Sequence, residues 1–281
     1  IELSRAMTQK PDGMSGESRP QARQVDRWPG PPGEIAALLL AVSPTFVFWH
    51  RQGIFVTNVV VTLAVATVWA AMRWQRTGQP RYLYLAALLA GLGLWAKLLF
   101  VWVLGAMAGV ALPIWALGQR QTARGRPAMR RLLLAPALFL LALSPLILFN
   151  LQTSGTLRSI FGNLGQSYYG VQNAAFLENL SARFGQLVAL LRGDHLWYLG
   201  GPLANGWAPW AAAVLPLVAL VVAALRRRRR AVVTLSLAIL FVLLLLVQAS
   251  FTVSGLFITH FAIIQPFAIL LAALAADSIA Q

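Results

Sequence analysis

Five side chains of this sequence stand where a reaction at a membrane surface could use them. Arg51, Lys97 and His260 mark the ends of apolar runs, and Glu178 and Asp194 lie in the long stretch 151–206 between two such runs. Arg51 closes Phe48-Trp49-His50-Arg51, where a guanidinium at the bilayer boundary can make a forked, charge-assisted contact with a phosphate. Lys97 interrupts an otherwise apolar stretch, and ionisable groups at membrane depth are expensive and tend to mark function. His260 opens the last apolar run and can donate a hydrogen bond or carry charge. A hydroxyl acting as nucleophile needs a carboxylate nearby to take its proton, and Glu178 and Asp194 are the weak candidates for that role. Each residue also has a structural reading. Arg51 and Lys97 can snorkel to the interface, His260 can be a satisfied helix-end histidine, and the two acids can be solvated loop residues. Other chemistries are excluded. The chain has no cysteine, so thiol catalysis, disulfides and thiolate metal sites are absent. His50, His195 and His260 lack metal-ligand spacing, and so few outer acids leave no dedicated divalent site, so no metal and no cofactor are expected. No Gly-rich phosphate loop, Ser-His-Asp order or HExxH motif occurs.

These groups must be positioned by helices. Apolar stretches fall at about 34–49, 54–73, 82–96, 98–117, 132–150, 207–225, 231–249 and 256–276, most of them near the roughly 20 residues that cross a bilayer. Arginine collects in alternate gaps: Arg73, Arg76 and Arg81; Arg120, Arg124, Arg126, Arg130 and Arg131; and the run Arg226 to Arg230. Cationic residues resist translocation, so these gaps are cytoplasmic and the others face outward. The stretch 82–117 is too long for one helix that keeps this parity, which predicts two short, tightly joined helices, a hairpin with Lys97 at its outer tip. The expected architecture is an all-α, polytopic integral membrane bundle of about eight transmembrane helices with both ends inside.

The outer stretch 151–206 is the longest connection and carries Phe161, Tyr168, Tyr169, Trp197 and Tyr198. Within it, Phe176, Leu177, Leu180, Phe184, Leu187, Val188 and Leu191 share one helical face, and Glu178, Asn179, Arg183 and Gln186 the other. The pattern predicts an interfacial helix over 174–192, N-capped by Asn173, with Phe176, Leu180, Phe184 and Val188 turned to lipid or bundle.

Composition fits this class. The chain is 58% hydrophobic and 11% charged, with mean hydropathy +0.68, against about a quarter charged in soluble domains. The net charge of +15 does not point to nucleic acid, because more than half of the 23 cations sit in the three inside gaps, where they orient the protein and attract anionic lipid. Residues 1–33 are polar and rich in Pro, Gly, Arg and Gln, and read as disordered ahead of a transmembrane domain over 34–281. They hold no signal-peptide pattern, and the start at Ile1 reads as a fragment or an altered start.

The order of segments resembles a family. Ser43-Pro44-Thr45-Phe46-Val47-Phe48-Trp49-His50-Arg51-Gln52-Gly53 leads into a helix, followed by the basic turn Arg76-Thr77-Gly78-Gln79-Pro80-Arg81-Tyr82-Leu83, the segment Leu89-Ala90-Gly91-Leu92-Gly93-Leu94-Trp95-Ala96-Lys97, and a last helix with His260 and Pro266. Over about 35–275 this is similar to the GT-C-fold membrane glycosyltransferases, the bacterial relatives of protein mannosyltransferase and of the aminoarabinose transferase for lipid A. The resemblance implies a polyprenyl-phosphate-linked sugar donor, a lipid, glycan or protein acceptor, and transfer at the extracytoplasmic face of the plasma membrane. It also implies that Arg51, Lys97 and His260 hold the donor phosphate. The family's catalytic carboxylate sits in the first outer loop after a first helix, and this chain has no counterpart, so the first helix and its loop are expected to be missing. Two other readings compete. One is a transporter or lipid flippase, for which Pro113, Pro136, Pro145 and Pro216 within apolar runs speak. The other is a non-catalytic membrane scaffold.

Overall fold

Apolar runs without water for their backbone must bond internally, and in this chain they do so as helices. The computed structural model describes residues 31–52, 56–116, 129–165, 172–199, 204–251 and 258–281. The expectations for residues 1–30, for Arg120, Arg124 and Arg126, and for Tyr168 and Tyr169 lie outside the described residues. Among those described, every regular element is helical: α1 (Pro31–Val42), α2 (Pro44–Arg51), α3 (Thr57–Thr77), α4 (Pro80–Ala96), α5 (Val101–Ala116), α6 (Met129–Thr153), α7 (Gly155–Gly162), α8 (Phe176–Arg192), α9 (Trp207–Leu225), α10 (Arg229–Ala249), α11 (Ile258–Phe261) and α12 (Gln265–Ala280). The protein is an all-α polytopic membrane bundle. Among the described residues five spans are long and apolar enough to cross a bilayer, and six if α1 and α2, bent by 71° at Ser43, count as one. The count is lower than eight because α4 and α5 are only 17 and 16 residues long, at the lower edge of crossing length. Pro31 to Gly33, expected in the polar segment, already belong to α1.

Local chemistry sets the ends. Pro44 and Pro80 occupy first helical positions, where a missing N–H costs nothing. Gly78 ends α3 in the left-handed region at φ 65°, its N–H donating to the Trp74 carbonyl at 2.7 Å. Lys97 is extended and ends α4, and a single 310 turn, Leu98–Phe100, starts the next segment. The break expected at Lys97 is therefore present. The two halves are not a tight pair, however: α4 packs mainly on α3 and α6, and α5 on α10.

Close approach comes from small residues, as in other membrane bundles. A Cβ on Gly91 would meet the Phe139 carbonyl of α6, and Cβ atoms on Gly105 and Gly109 would meet Gln248 and Leu244 of α10. That register, rising on α5 and falling on α10, makes the two helices antiparallel. The deepest helix is α12. The span Ile258–Ala280, of which it is the main part, is 67% buried over its most apolar stretch, against 11–33% for the other four. Leu141, Leu217 and Val221 are exposed, as lipid-facing side chains are.

Two ends of the bundle can be told apart. Thr57 at the start of α3 donates to the Thr259 carbonyl at 3.2 Å, and both lie beside Lys97 at the end of α4. The α3–α4 turn is therefore at the far end of two antiparallel helices, about 30 Å away by helical rise. At that far end Arg226 donates to the Ile279 carbonyl at 3.4 Å, and Arg228 to that of Gln281. The C-terminal end of α12 thus meets the α9–α10 turn. Two of the three arginine gaps share one end of the bundle, a bilayer thickness from Lys97.

Candidate functional site

The site is a narrow recess at the Lys97 end. Lys97, Thr57, Thr259 and His260 supply its polar wall, and Val60 and Ile263 part of its apolar one. Three breaks in regular structure create it: the start of α3, the extended residue ending α4, and the 310 turn Ala262–Ile264 between α11 and α12. Thr57 and Thr259 are buried and spend a hydroxyl and a carbonyl on each other. The ammonium of Lys97 and the imidazole of His260 are half-buried in the same recess. A cation and a second potential donor thus stand together beside apolar walls, in a recess with no enclosed room for a water molecule.

The structure brings Lys97 and His260 together and leaves Arg51 outside the recess lining, exposed at the end of α2. Glu178 is exposed on the first turn of α8. Asp194 Oδ2 lies 3.1 Å from Arg192 Nε, in an ion pair that follows α8. Among the described residues, no group of three or more His, Cys, Asp or Glu side chains could hold a metal ion.

A layer of short helices flanks this end. Helix α8 spans 176–192, two residues shorter at its start than expected. Asn173 does not cap it; its amide nitrogen instead donates to the Asn163 and Leu164 carbonyls at 2.6 and 3.2 Å. The apolar face is divided between lipid and bundle: Leu177 and Phe184 are exposed at 78% and 56%, while Leu180 and Leu187 pack against the core. Asn179 and Arg183 of the polar face are buried, at 6% and 4% exposure. Arg183 turns inward because it has partners there. Arg183 Nε donates to the Ala249 carbonyl at 3.2 Å and Nη1 to Gln186 Oε1 at 2.7 Å. A cation at the C-terminal end of α10 also complements the helix dipole.

Helix α2 docks on the far end of α8. Buried Thr45 donates to the Leu190 carbonyl at 2.8 Å. Trp49 Nε1 lies 3.3 Å from His195 Nε2, and His195 Nδ1 lies 3.1 Å from the Ala189 carbonyl. An indole nitrogen only donates, so Nε2 accepts and Nδ1 carries the proton. Burial lowers the His195 pKa below 6.5, against opposing pulls from the Ala189 carbonyl and Asp194. Gln265, fully buried, donates to Ser43 Oγ at 2.8 Å, joining the bend before α2 to the start of α12. Sequence reasoning assigned no role to Thr45, Thr57, Thr259 or Gln265. Gln265 carried a signal, a lone amide inside an apolar run, whereas threonines are too common in spans to stand out.

The family model described as dolichyl-phosphate-mannose-protein mannosyltransferase matches residues 28–149. That segment carries Arg51 and Lys97, while Glu178, Asp194 and His260 lie beyond it. No curated protein and no solved structure matches the chain.

Proposed function

Taking residues 28–149 as a segment of the dolichyl-phosphate-mannose-protein mannosyltransferase family, we propose that this membrane glycosyltransferase scaffold takes its sugar from a polyprenyl-phosphate donor. Transfer to a lipid, glycan or protein acceptor occurs at the extracytoplasmic face of the plasma membrane. One observation carries the reading: Lys97 and His260 share a recess at the end of the bundle opposite two arginine-rich turns. With arginine held inside, the recess opens outward. Lys97 faces the phosphate and His260 donates to it, with Arg51 on the neighbouring α2 as a further cation. In the transfer an acceptor oxygen bonds to the sugar's anomeric carbon as the bond from that carbon to the phosphate oxygen breaks. The acceptor proton goes to a carboxylate, and the polyprenyl phosphate leaves with one more negative charge, which Lys97 offsets. Asp194 is held by Arg192, so Glu178 is the exposed acid of the two candidates.

The test is affinity for polyprenyl phosphate in detergent. A charge-assisted phosphate contact is worth roughly 1.5–3 kcal/mol, so Lys97→Gln weakens binding by about ten- to a hundredfold. Unchanged affinity in both Lys97→Gln and His260→Gln would overturn the assignment and leave both as helix-end residues. A flippase remains the second reading, favoured by the buried Gln265–Ser43 link between two broken helices. It is supported if vesicles containing the protein move a labelled polyprenyl phosphate between leaflets, and rejected if they do not.

A further inference from the structure

We propose that α7 lies in the lipid interface of the leaflet that holds the Lys97 recess, with Leu157 and Phe161 seated among the acyl chains. The helix leaves the end of the span Leu133–Thr153. Ser154 closes that span in the left-handed region at φ 52°, and α7 begins at the next residue. Two asparagines from outside the helix hold its ends. Asn150, on the last turn of α6, accepts at Oδ1 from the N–H groups of Thr156 and Leu157, at 3.1 and 3.2 Å. At the other end Asn173 donates to the Asn163 and Leu164 carbonyls. Asn173 leads into α8, which packs on α11, the short helix that carries Thr259 and His260. Helix α7 is thereby tied to the end of the bundle that holds the recess.

The ends of α7 are held and its sides are not. None of its side chains is buried among the described residues. Leu157 and Phe161 stand one turn apart on one face, at 50% and 67% exposure, and Leu164 just beyond continues the stripe. Ser159 points to the opposite side and Arg158 to the flank, both exposed. Isolated helices shorter than about 12–15 residues are marginal in water, and α7 has 8. Its apolar stripe must therefore be covered. Leu148 and Leu151, on the last turns of α6, are exposed as well, so the lipid-facing surface of the span reaches the point where α7 starts. Acyl chains are the apolar partner available there, and the guanidinium of Arg158 reaches the headgroups from the flank. Helix α8 differs, because Leu190 and Arg183 are buried in the bundle.

Spin labelling of the full chain in vesicles of phosphatidylethanolamine and phosphatidylglycerol tests the placement. The chain has no cysteine, so Leu157→Cys, Phe161→Cys and Ser159→Cys each give one labelled, exposed position, and Leu141→Cys within α6 gives the lipid reference. Labels at 157 and 161 are expected to relax with molecular oxygen, which concentrates among acyl chains, and to resist a water-soluble nickel chelate, as the label at 141 does. The label at 159 should be several-fold more open to the nickel chelate. Agreement between 157 and 161 guards against local unravelling by either substitution. Equal nickel access at all three α7 positions puts the helix in water and overturns the proposal. Loss of access to both reagents at 157 and 161 puts protein over the stripe, a partner or a second copy, and overturns it as well.

Discussion

Arg183 was legible in the sequence only as a member of a polar stripe. Its helix and spacing are right, but which way the stripe turns depends on Ala249, a carbonyl 66 residues away at the end of α10. A helical pattern reports that two faces differ and cannot report which one finds partners, since a chain end such as that of α10 offers acceptors no periodicity reveals. Because this guanidinium is buried and hydrogen-bonded, Arg183→Met leaves the α10 end uncapped and costs about 2 kcal/mol, read from denaturant unfolding in detergent. Arg183→Lys recovers part of that. His195 predicts a pH effect. Its folded pKa lies below 6.5, so as pH falls the unfolded state takes the proton first. The contribution is intact above 6.5 and declines below it. On protonation Nε2 can no longer accept from Trp49, and α2 loosens from α8. Protection factors over Thr45–Arg51, which correct for the slower intrinsic exchange in acid, should fall as pH is lowered, with Arg192 and Asp194 as the neighbouring charges, and the fall should be absent in His195→Gln.

At the scale of elements, the apolar runs and their breaks were readable, and the pairing of helices was not. The sequence called for a break at Lys97, because a polar residue in a long apolar stretch cannot be ignored. It held no signal that α4 would choose α3 and α6 while α5 chose α10, since lipid and helix surfaces are equally apolar and the choice is made by shape. Glycines decide that shape. Gly91 faces the Phe139 backbone carbonyl without room for a Cβ, whereas Gly185 on α8 has nothing within 4 Å. Gly91→Val should push α4 off α6 and lower stability by roughly 1–3 kcal/mol. Gly185→Ala should be neutral or raise stability by up to about 1 kcal/mol, because it removes backbone freedom from a helix interior. Thermal unfolding of the two variants side by side separates a packing requirement from a general intolerance of change.

For the molecule as a whole, charge distribution was the strongest signal in the sequence, because it reflects insertion and not folding. It anticipated two ends of different character, and Arg226, Arg228 and the α3–α4 turn do share one of them. The candidate site was legible in part. Lys97 and His260 stand out as polar residues at helix ends, but their meeting depends on a contact between Thr57 and Thr259 across 202 residues. Arg51 stood out equally and lies outside the lining, since a helix-end position gives depth without giving azimuth. Orientation itself can be measured. The chain has no cysteine, so Gln79→Cys and Ser181→Cys, both at exposed positions, give clean labels. An impermeant thiol reagent applied to intact cells should reach the second and not the first. Labelling at position 79 would invert the protein and with it the functional reading.

The burial of α12 carries a consequence in time. Synthesis delivers this helix after every other one described, yet it is the one most enclosed, and α1, made ahead of the others described, packs against it. Helices that have already entered the bilayer therefore wait around a vacancy until α12 slides into the middle. The recess shares that schedule, since Thr57 has no Thr259 to bond and Lys97 no His260 beside it before then. A nascent chain thus holds no completed recess until α12 arrives.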